Sequence, residues 1–393
     1  MSGAAPLRVL SLGYARGLWG PPDAEDVLRL TEYGRRVDRY VHVVHALRGH
    51  GLEPRTVNGV MEAIPTNART RPGSFAALLR LGGGILRGGG FSLVQAQDPT
   101  FTGAAAHLLG RKYGLPVNVC VYGSDPFDPH WVGTHWTNRL GAPVGRTVLA
   151  RAAGVQVDGL MTARSLAAAG IPAERIRVKP MIPANLGAFF ALPRPRPGGG
   201  GPVRLLFVGR LHHQKNLPLL ARVFQRVAAA AGREVELHVV GAGPEERRFR
   251  DLVRAGEVDG RVVMRGALGR EGVVDAFGGA DLLVLTSNYE GNPRVLMEAA
   301  AAGLPIVTTA VGGSDEWVED GVSGHVVPIG DGEAHADRVL RLVGDPALRA
   351  RMGEAVRAAA VARVAGASDP AHQVRIWEEL ARGSGGNPPA ARG

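Results

Sequence analysis

The 393-residue sequence contains a single cysteine, Cys120, and no apolar run reaches the roughly 18–20 residues of a membrane-spanning helix. One cysteine excludes an intramolecular disulfide, which fits a reducing compartment. Because Cys120 lies in the apolar run VNVCV, we expect a buried thiol rather than a nucleophile. The first residues also lack the charged and apolar segments of a signal peptide, so we predict a cytoplasmic protein.

Acidic residues are scarce in the first half of the chain. The net charge is +10, and up to Gly187 there are 21 Lys+Arg against 12 Asp+Glu. These basic residues are almost all arginines scattered singly, and no basic stretch carries the interleaved aromatic residues that bind single-stranded nucleic acid. We therefore expect no nucleic-acid partner, whereas peripheral contact with the inner face of a membrane through the basic half stays open.

Metal-binding patterns are missing as well. The sequence has no Asp-x-Asp motif and no cluster of histidine and cysteine residues, so we expect neither a bound metal nor a resident cofactor.

Strand-like and helix-like segments alternate along both halves. In the first half, LRVLSLG, FSLVQAQ, LPVNVCV and VQVDGLM are predicted strands, and RTVLARAAG from Arg146 is a predicted helix. A second cycle begins with VRLLFVG after the segment PRPRPGGGGP, which cannot continue a helix or a central strand. The alternation predicts an α/β protein with two Rossmann-like, doubly wound parallel sheets that face each other across a cleft.

The predicted boundaries follow these changes in pattern. Residues 1–190 form an N-terminal Rossmann-like domain, 191–202 a Pro/Gly linker, and 203–368 a C-terminal Rossmann-like domain. Residues 369–383 form a helix that crosses back to the N-terminal domain, and 384–393 are a disordered tail.

Ligands of doubly wound sheets bind outside the carboxyl ends of the strands, so the loops after the strands carry the chemistry. Arg210 and Lys215 follow VRLLFVG and precede a helix, where cations would stabilise a diphosphate. Lysine is rare here, with only three in the chain. A solvated helix start remains an equally good explanation of this loop.

The stretch EGNPRVLMEAA combines two carboxylates with a helix start. Gly291 and Asn292 form a turn, Pro293 suits the first helical position, and the free N–H groups that follow form an anion site. Glu290 and Glu298 could accept hydrogen bonds from the hydroxyls of a ribose and a hexose. The alternative is a helix that carries surface charges.

Two other glycine-containing loops are less specific. HVVGAGPEE has only part of a dinucleotide-binding fingerprint, which argues against a redox dehydrogenase. Gly312 and Gly313 allow a close backbone approach, and Arg265 and Gly266 are candidates for contact with a base.

Taken together, VGRLHHQKN, EGNPRVLME and VGGSDEWVEDGVSGHVVP resemble the retaining glycosyltransferases of family 4, which have the GT-B fold. The resemblance implies that Arg210 and Lys215 bind the donor diphosphate, Glu290 the donor sugar and Glu298 the ribose. It also implies that the base is contacted near Arg265 and Gly266 and that catalysis needs no metal. The nucleotide site would further include residues at the helix start: Gly291, Asn292, Arg294 and Val295.

The N-terminal half resembles the same family more loosely, and the resemblance implies that domain 1–190 binds the acceptor and domain 203–368 the nucleotide-sugar donor. Where most members carry a histidine before a Gly-x-Asp turn, this chain has Tyr122, followed by Gly123, Ser124 and Asp125. Either Tyr122 takes the role of the histidine, or a neighbour such as His130 does, or donor handling differs. Further candidates for the acceptor side come from the loops after LRVLSLG and FSLVQAQ: Gly13, Tyr14, Arg16 and Asp98.

The expected function is transfer of a sugar from a UDP- or GDP-linked donor to an acceptor hydroxyl, with retention at the anomeric carbon. A small-molecule, natural-product, aminocyclitol-like, glycan or lipid-linked acceptor is equally open. The alternatives are another sugar-nucleotide or sugar-phosphate enzyme of the same fold and a non-catalytic sugar-nucleotide-binding partner protein. The oligomeric state is not predicted.

Overall fold

The computed structural model describes residues 6–22, 24–180, 182–183, 186–193, 201–367 and 370–383. The chain divides into two compact units. The N-terminal unit consists of residues 1–184 and 367–393, and the C-terminal unit consists of residues 185–366. Most of the predicted linker, residues 194–200, and the predicted disordered tail lie outside the described residues.

One sheet organises the N-terminal unit. Its eight strands are β1 (Arg8–Gly13), β2 (Arg39–Val44), β3 (Arg55–Val57), β4 (Met61–Pro65), β5 (Leu93–Ala96), β6 (Val117–Val121), β7 (Gly154–Val157) and β8 (Ile176–Val178). Their order across the sheet is β3-β4-β2-β1-β5-β6-β7-β8. Every neighbouring pair is parallel except β3 and β4.

Helices cover both faces of this sheet, as the apolar character of its strands requires. They are α1 (Glu25–Gly34), α2 (Arg71–Arg87), α3 (Phe101–Tyr113), α4 (Pro129–Thr134), α5 (Trp136–Arg151), α6 (Leu160–Ala168) and α15 (Pro370–Gly383). One buried cluster packs β1, β5 and β6 against α2 and α3, and a second cluster packs β1 and β2 against α1 and α15.

The last helix, α15, belongs to the core of the N-terminal unit. Trp377 is fully buried and packs against the rings of Tyr33 and Tyr40, each with its centroid 5.6 Å away. Its Nε1 donates a hydrogen bond of 2.5 Å to Gln95 Oε1. The side chain of Gln373 exchanges two hydrogen bonds with that of Gln156 on β7. The final residues of the described chain therefore stabilise the first domain of the sequence.

A six-stranded parallel sheet organises the C-terminal unit. Its strands are β9 (Val203–Val208), β10 (Val235–Val240), β11 (Val262–Gly266), β12 (Leu282–Leu285), β13 (Ile306–Thr309) and β14 (Gly324–Val327), in the order β11-β10-β9-β12-β13-β14. Its helices are α7 (Leu186–Phe190), α8 (Leu217–Ala230), α9 (Glu246–Ala255), α10 (Arg270–Gly278), α11 (Arg294–Ala302), α12 (Ser314–Trp317), α13 (Gly332–Gly344) and α14 (Pro346–Ala367). Two doubly wound α/β sheets are confirmed.

Some predicted segments were placed wrongly. Helix α5 begins at Trp136, ten residues before the predicted start. His135 caps the helix at that point, and Pro143 lies within the helix, where a proline would normally end or kink it. The predicted strand VQVDGLM ends at Val157, since α6 begins only three residues later. The antiparallel pair β3–β4 was not predicted, although its turn carries a recognisable signal: Asn58 and Gly59 have positive φ angles of 47° and 73°.

Candidate active site

The direction of strand succession reverses between β9 and β12 in the C-terminal unit, because these neighbours are separated by β10 and β11 in sequence. At such a switch point the loops after the two strands diverge and leave a crevice for a ligand. The loop after β9 carries Arg210 and Lys215, and the loop after β12 carries Glu290. The topology thus brings together three residues that the sequence identified separately.

Lys215 and Glu290 form an ion pair across this switch point. Lys215 Nζ lies 2.5 Å from Glu290 Oε1, and the two side chains are only 13% and 10% exposed. Ser287 Oγ donates to the same carboxylate oxygen at 2.7 Å, and Gln214 Nε2 donates to Oε2 at 3.2 Å. Three donors therefore fix the carboxylate. The sequence identified Lys215 and Glu290 but missed both Gln214 and Ser287.

The two loops are also joined through Asn216 and Asn288. Asn216, which has a positive φ of 48°, caps α8 by accepting from Leu219 N, and its Nδ2 donates to Asn288 Oδ1 at 2.8 Å. Asn288 N donates to Gln214 O at 2.8 Å, and Thr286 Oγ1 donates to Lys215 O at 2.9 Å. This network holds Lys215 in place before any ligand binds.

Arg210 differs from Lys215 in its environment. It is exposed and has no hydrogen bond or ion pair with another described residue. His212 lies close enough that the charge of Arg210 contributes to lowering the pKa of His212, after the larger effect of desolvation and that of His213. The crevice therefore contains one cation already paired with a carboxylate and one cation available to an anion.

Glycines let the loops of this unit approach one another closely. A Cβ atom on Gly241, which has φ of +134°, would lie 1.9 Å from Gly209 O, and one on Gly243 would lie 2.3 Å from Leu211 O. The glycines of HVVGAGPEE thus accommodate the Arg210 loop. A Cβ atom on Gly312 would lie 2.3 Å from Glu290 O, so this glycine accommodates the Glu290 loop.

Helix α11 starts beside Glu290. The sequence predicted Pro293 as the first helical residue. The helix begins at Arg294, so Pro293 is instead the residue before it. Arg294 is exposed, Val295 is buried and Glu298 is half-buried one turn further along. The Gly291–Asn292 turn packs against Gly312 and Gly313, and Asn292 Oδ1 accepts a hydrogen bond of 3.3 Å from Trp317 Nε1.

Arg265 and Gly266 end β11, at the edge of the sheet and two strands from β9. Gly266 has a φ of +66°, and its carbonyl accepts a 2.7 Å hydrogen bond from Gly241 N. Arg265 is exposed, with Nη2 3.3 Å from His238 Nδ1. Both residues therefore lie beside the carboxyl edge of the sheet, separated from the Lys215–Glu290 pair by the loop after β10.

In the N-terminal unit the switch point lies between β1 and β5. Gly13 ends β1, and Gln97 fills the space that a Cβ atom on Gly13 would need. Tyr14 N donates to Gln97 Oε1 at 2.8 Å. Arg16 Nη1 lies 2.6 Å from His50 Nε2, so Arg16 is held against the loop after β2.

Asp98 follows β5, and its carboxylate accepts most of its hydrogen bonds from the residues that come directly after it. It accepts hydrogen bonds from the backbone N–H groups of Thr100, Phe101 and Thr102 and from both threonine hydroxyls. These bonds hold the start of α3. Desolvation raises the pKa of Tyr14, and the charge of Asp98 and a hydrogen bond to its carboxylate raise it further.

Tyr122 and Asp125 make their hydrogen bonds within the N-terminal unit. Tyr122 OH accepts a 2.5 Å hydrogen bond from Gln156 Nε2, and burial raises its pKa well above the usual value. Asp125 is 8% exposed and accepts from Phe127 N at 2.9 Å and Ser165 Oγ at 2.7 Å. Burial raises the pKa of Asp125, and it raises that of Cys120 to about 11. The side chain of His130 lies outside the described part of the structure.

The described part of the chain offers neither a metal cluster nor a membrane-spanning helix. No group of three or more His, Cys, Asp or Glu side chains there could hold a metal ion. No described helix is both long enough and apolar enough to span a bilayer.

Comparisons with known proteins agree with this architecture. Residues 24–181 match the family "Glycosyl transferase 4-like domain", and residues 194–359 match "Glycosyl transferases group 1". A relative, alpha-D-kanosaminyltransferase of Streptomyces kanamyceticus, is 29% identical over 267 residues, which are 64% of this chain and 68% of the relative.

Solved structures with a similar fold cover nearly the whole chain. Sucrose-phosphate synthase of Thermosynechococcus elongatus aligns over 96% of this chain and 100% of its own, with a TM-score of 0.74 and 18% identity. Anabaena HepE, solved in complex with UDP, aligns over 97% of this chain and 100% of its own, with a TM-score of 0.69 and 18% identity.

The two doubly wound sheets have the GT-B fold of these solved structures, and the matches to glycosyltransferase families and relatives identify a glycosyltransferase that uses a sugar-nucleotide donor. The chain belongs to the glycosyltransferases of the family 4 type, as the match of both of its halves shows. It is thus a hexosyltransferase-type enzyme, and the resemblance found in the sequence is confirmed.

Proposed function

We propose that the enzyme transfers a sugar from a UDP- or GDP-linked donor to an acceptor hydroxyl, with retention at the anomeric carbon and without a metal ion. The observation that carries this proposal is the Lys215–Glu290 pair at the switch point of the C-terminal sheet, with Arg210 beside it and available. The complex of Anabaena HepE with UDP makes UDP the first nucleotide to test.

Each residue of the crevice has a distinct role in the proposal. Arg210 and Lys215 neutralise the donor diphosphate, whose negative charge grows as the sugar departs. Glu290 accepts hydrogen bonds from the sugar hydroxyls through its Oε2 atom, which has one donor, while Oε1 stays on Lys215. Glu298 accepts from the ribose hydroxyls. The backbone around Arg265 and Gly266 contacts the base.

The start of α11 completes the charge stabilisation. The turn of Gly291 and Asn292 and the first amides of the helix, at Arg294 and Val295, present N–H groups that favour an anion. With two cations in the same crevice, a divalent metal is not needed to neutralise the diphosphate.

Retention follows from departure and attack on one face of the sugar. The bond between the anomeric carbon and the diphosphate oxygen breaks as the acceptor oxygen bonds to that carbon. The acceptor proton passes to the departing phosphate oxygen, so no protein carboxylate has to act as nucleophile.

We further propose that Tyr122 and Asp125 support the acceptor side from within. The Tyr122 hydroxyl is bonded to Gln156 and Asp125 fixes its own turn, so both residues order the loop that begins at Gly123. The contact that a histidine makes in most family members then falls to another residue, and His130 is the candidate.

The test begins with the free nucleotides. Thermal-shift measurements with UDP, GDP, ADP and dTDP identify the base, and a release assay with the matching sugar nucleotides measures turnover. We expect nucleotide release that persists in EDTA and a product with the donor's anomeric configuration. An EDTA-sensitive reaction or an inverted product would contradict the proposed mechanism. Binding without release, with every acceptor tried, would instead favour a non-catalytic binding protein.

A matched pair of variants separates the site from the surface. Glu290→Gln should abolish most release, whereas Glu333→Gln, at an exposed glutamate on the same unit, should leave it unchanged.

A further inference from the structure

The N-terminal unit contains a cavity of about 700 Å³ beside its own switch point. The loops after β1, β2 and β5 and the helices α2 to α5 contribute to its walls. Six residues determine its chemistry: Tyr14, His45, Arg71, Phe75, Phe101 and Trp131.

Aromatic rings dominate these walls. Phe75 and Phe101 meet edge to face with their centroids 5.6 Å apart, and His45 packs edge-on against Phe101 at 5.2 Å and Tyr14 at 5.5 Å. His45 Nδ1 is 2.6 Å from Ser74 Oγ, which fixes the ring. Burial, together with the charge of Arg71, lowers the pKa of His45, so this wall is uncharged near neutral pH. Such walls favour an apolar or ring-bearing group.

Arg71 is the charged residue in the lining, and no carboxylate belongs to the described residues that line the cavity. Arg71 has no hydrogen bond or ion pair with another described residue. The nearby carboxylate of Asp98 is held by five hydrogen bonds from residues 100–102. The cavity therefore offers an unpaired guanidinium to an anion, whereas the carboxylate of Asp98, whose charge reaches Tyr14 and His45, is already hydrogen-bonded to residues 100–102 and to the Tyr14 hydroxyl.

The apolar character continues from the cavity onto the surface of α5. Gly141 and Val144 line the cavity, and Val144 is also 43% exposed. Leu140 and Trp136 precede Val144 by one and two turns of the same helix, and they are 68% and 65% exposed. Residues spaced by four positions lie on one face of a helix, so an apolar stripe extends outward from the cavity.

We propose that this cavity binds the acceptor and that the acceptor is an anionic amphiphile, with its apolar part among the rings and its phosphate or carboxylate on Arg71. The assignment to the acceptor rests on the proposed function. The lining favours an anion over a polycation such as an aminocyclitol, because an amine would meet the charge of Arg71 and, as its nearest acidic partner, a carboxylate of Asp98 that is already hydrogen-bonded. An acyl or aryl chain longer than the cavity would continue along Trp136 and Leu140.

The first test measures binding to the full chain without any donor. The probes are octyl phosphate, octylamine, octanol and inorganic phosphate. Their binding is measured by calorimetry and by the change in tryptophan fluorescence, to which Trp131 in the cavity wall contributes. We expect octyl phosphate to bind more tightly than the other three, since only it offers both an apolar chain and an anion. Arg71→Gln should weaken octyl phosphate binding by about tenfold or more and leave octanol binding unchanged.

Two further variants test the location. Arg80→Gln changes an exposed arginine further along α2 and should not affect octyl phosphate. Gly141→Leu places a side chain in the cavity and should block octyl phosphate and octanol alike. Its fold is checked by circular dichroism and by urea titration, so that loss of binding can be assigned to filling of the cavity.

A third measurement distinguishes a membrane-held acceptor from a free one. Vesicles of phosphatidylglycerol that bind the wild type, but not the Trp136→Ser/Leu140→Ser variant, would identify a lipid-linked anion. Binding of octyl phosphate without binding to vesicles would identify a free anionic amphiphile. Either result supports the proposal.

Equal or tighter binding of octylamine, or octyl phosphate binding that is the same in Arg71→Gln and the wild type, would overturn the inference. The experiment tests the proposed function independently of this inference. If the same preparation turns over a sugar nucleotide and ignores octyl phosphate, the inference is wrong and the transferase proposal stands. If it binds octyl phosphate through Arg71 and binds no nucleotide, the donor chemistry is wrong and the cavity assignment stands.

Discussion

Each of the two units has a doubly wound sheet with a switch point, but the side chains around the two switch points differ in polarity. In the C-terminal unit, polar side chains converge on the crevice and bond to one another around Lys215 and Glu290. In the N-terminal unit, the carboxylates of Asp98 and Asp125 bond to their own loops, and aromatic rings line the cavity. We propose a charged and hydroxyl-rich ligand for the first crevice and an apolar ligand with a single anionic group for the second.

The largest expected effect is a loss of stability in the N-terminal unit. Trp377→Ala removes the fully buried indole of α15 from the N-terminal core and should lower the free energy of unfolding by about 3–5 kcal/mol. Urea titration of the full chain measures the change. The control is Trp136→Ala, whose side chain is 65% exposed and whose loss should have little effect on stability.

UDP binding sharpens this comparison, because the crevice that we propose for the donor consists of C-terminal residues. We expect Trp377→Ala to bind UDP like the wild type at temperatures where it remains folded. Equal stability of the two tryptophan variants would contradict the structural role of α15.

Backbone packing around Glu290 gives the next largest effect. Gly312→Ala would place a Cβ atom 2.3 Å from the carbonyl oxygens of Glu290 and Gly291, so the loop that carries Glu290 has to shift. Displacements of this order reduce turnover by roughly 10–100-fold. The control is Gly344→Ala, where no atom lies within 4 Å of the added Cβ. Steady-state rates of both variants test this, and equal rates would refute it.

Acid stability should depend on His42 in the N-terminal unit. His42 is fully buried in β2, and neither ring nitrogen has a hydrogen-bond partner in the described part of the chain. Burial lowers its pKa to about 3, whereas the unfolded chain takes up a proton below about pH 6.5. Its contribution is therefore fully present above pH 6.5 and is lost as the pH falls toward 3.

The loss amounts to about 2 kcal/mol between pH 6.5 and pH 5. His42→Leu should flatten this part of the stability profile, measured by urea titration at each pH. His335 in α13, whose pKa burial lowers to about 4, contributes in the same direction and keeps some slope in the variant. An unchanged slope in His42→Leu would show that this histidine is not buried in the neutral form.

The smallest effect concerns Asp98. Asp98→Ala removes the acceptor that holds the first N–H groups of α3 and should cost about 1–2 kcal/mol of stability. Asp98→Asn retains one acceptor oxygen and should recover part of it. A variant with unchanged stability and a raised KM for the acceptor would instead make Asp98 a direct acceptor contact.

The sequence predicted the C-terminal unit better than the N-terminal one, for a physical reason. The donor loops have short and constrained signals, such as the cations after β9 and the Glu290–Pro293 turn, and the parallel sheet brings their ends together. The ion pair itself was not predictable from either loop. It depends on β9 and β12 being neighbours, and no local pattern encodes that order.

The N-terminal site depends on contacts between distant segments. The cavity joins His45, Arg71 and Trp131, none of which was identified from the sequence, because an aromatic residue or a lone arginine has no local signature of binding. Asp98 was interpreted as an acceptor contact, and its carboxylate holds the start of α3. The pattern Asp-Pro-Thr-Phe-Thr, residues 98–102, spans the start of α3. It carries a capping signal that favoured this structural role.

The most direct test of the account compares UDP affinity and turnover in Lys215→Ala and Glu290→Ala. If Lys215 binds the diphosphate and Glu290 binds the sugar, Lys215→Ala should weaken UDP binding by about tenfold or more. Glu290→Ala should keep UDP affinity within about threefold and lose about 10²–10³ in turnover. Wild-type UDP affinity in Lys215→Ala, or wild-type turnover in Glu290→Ala, would contradict the assignment of the donor site.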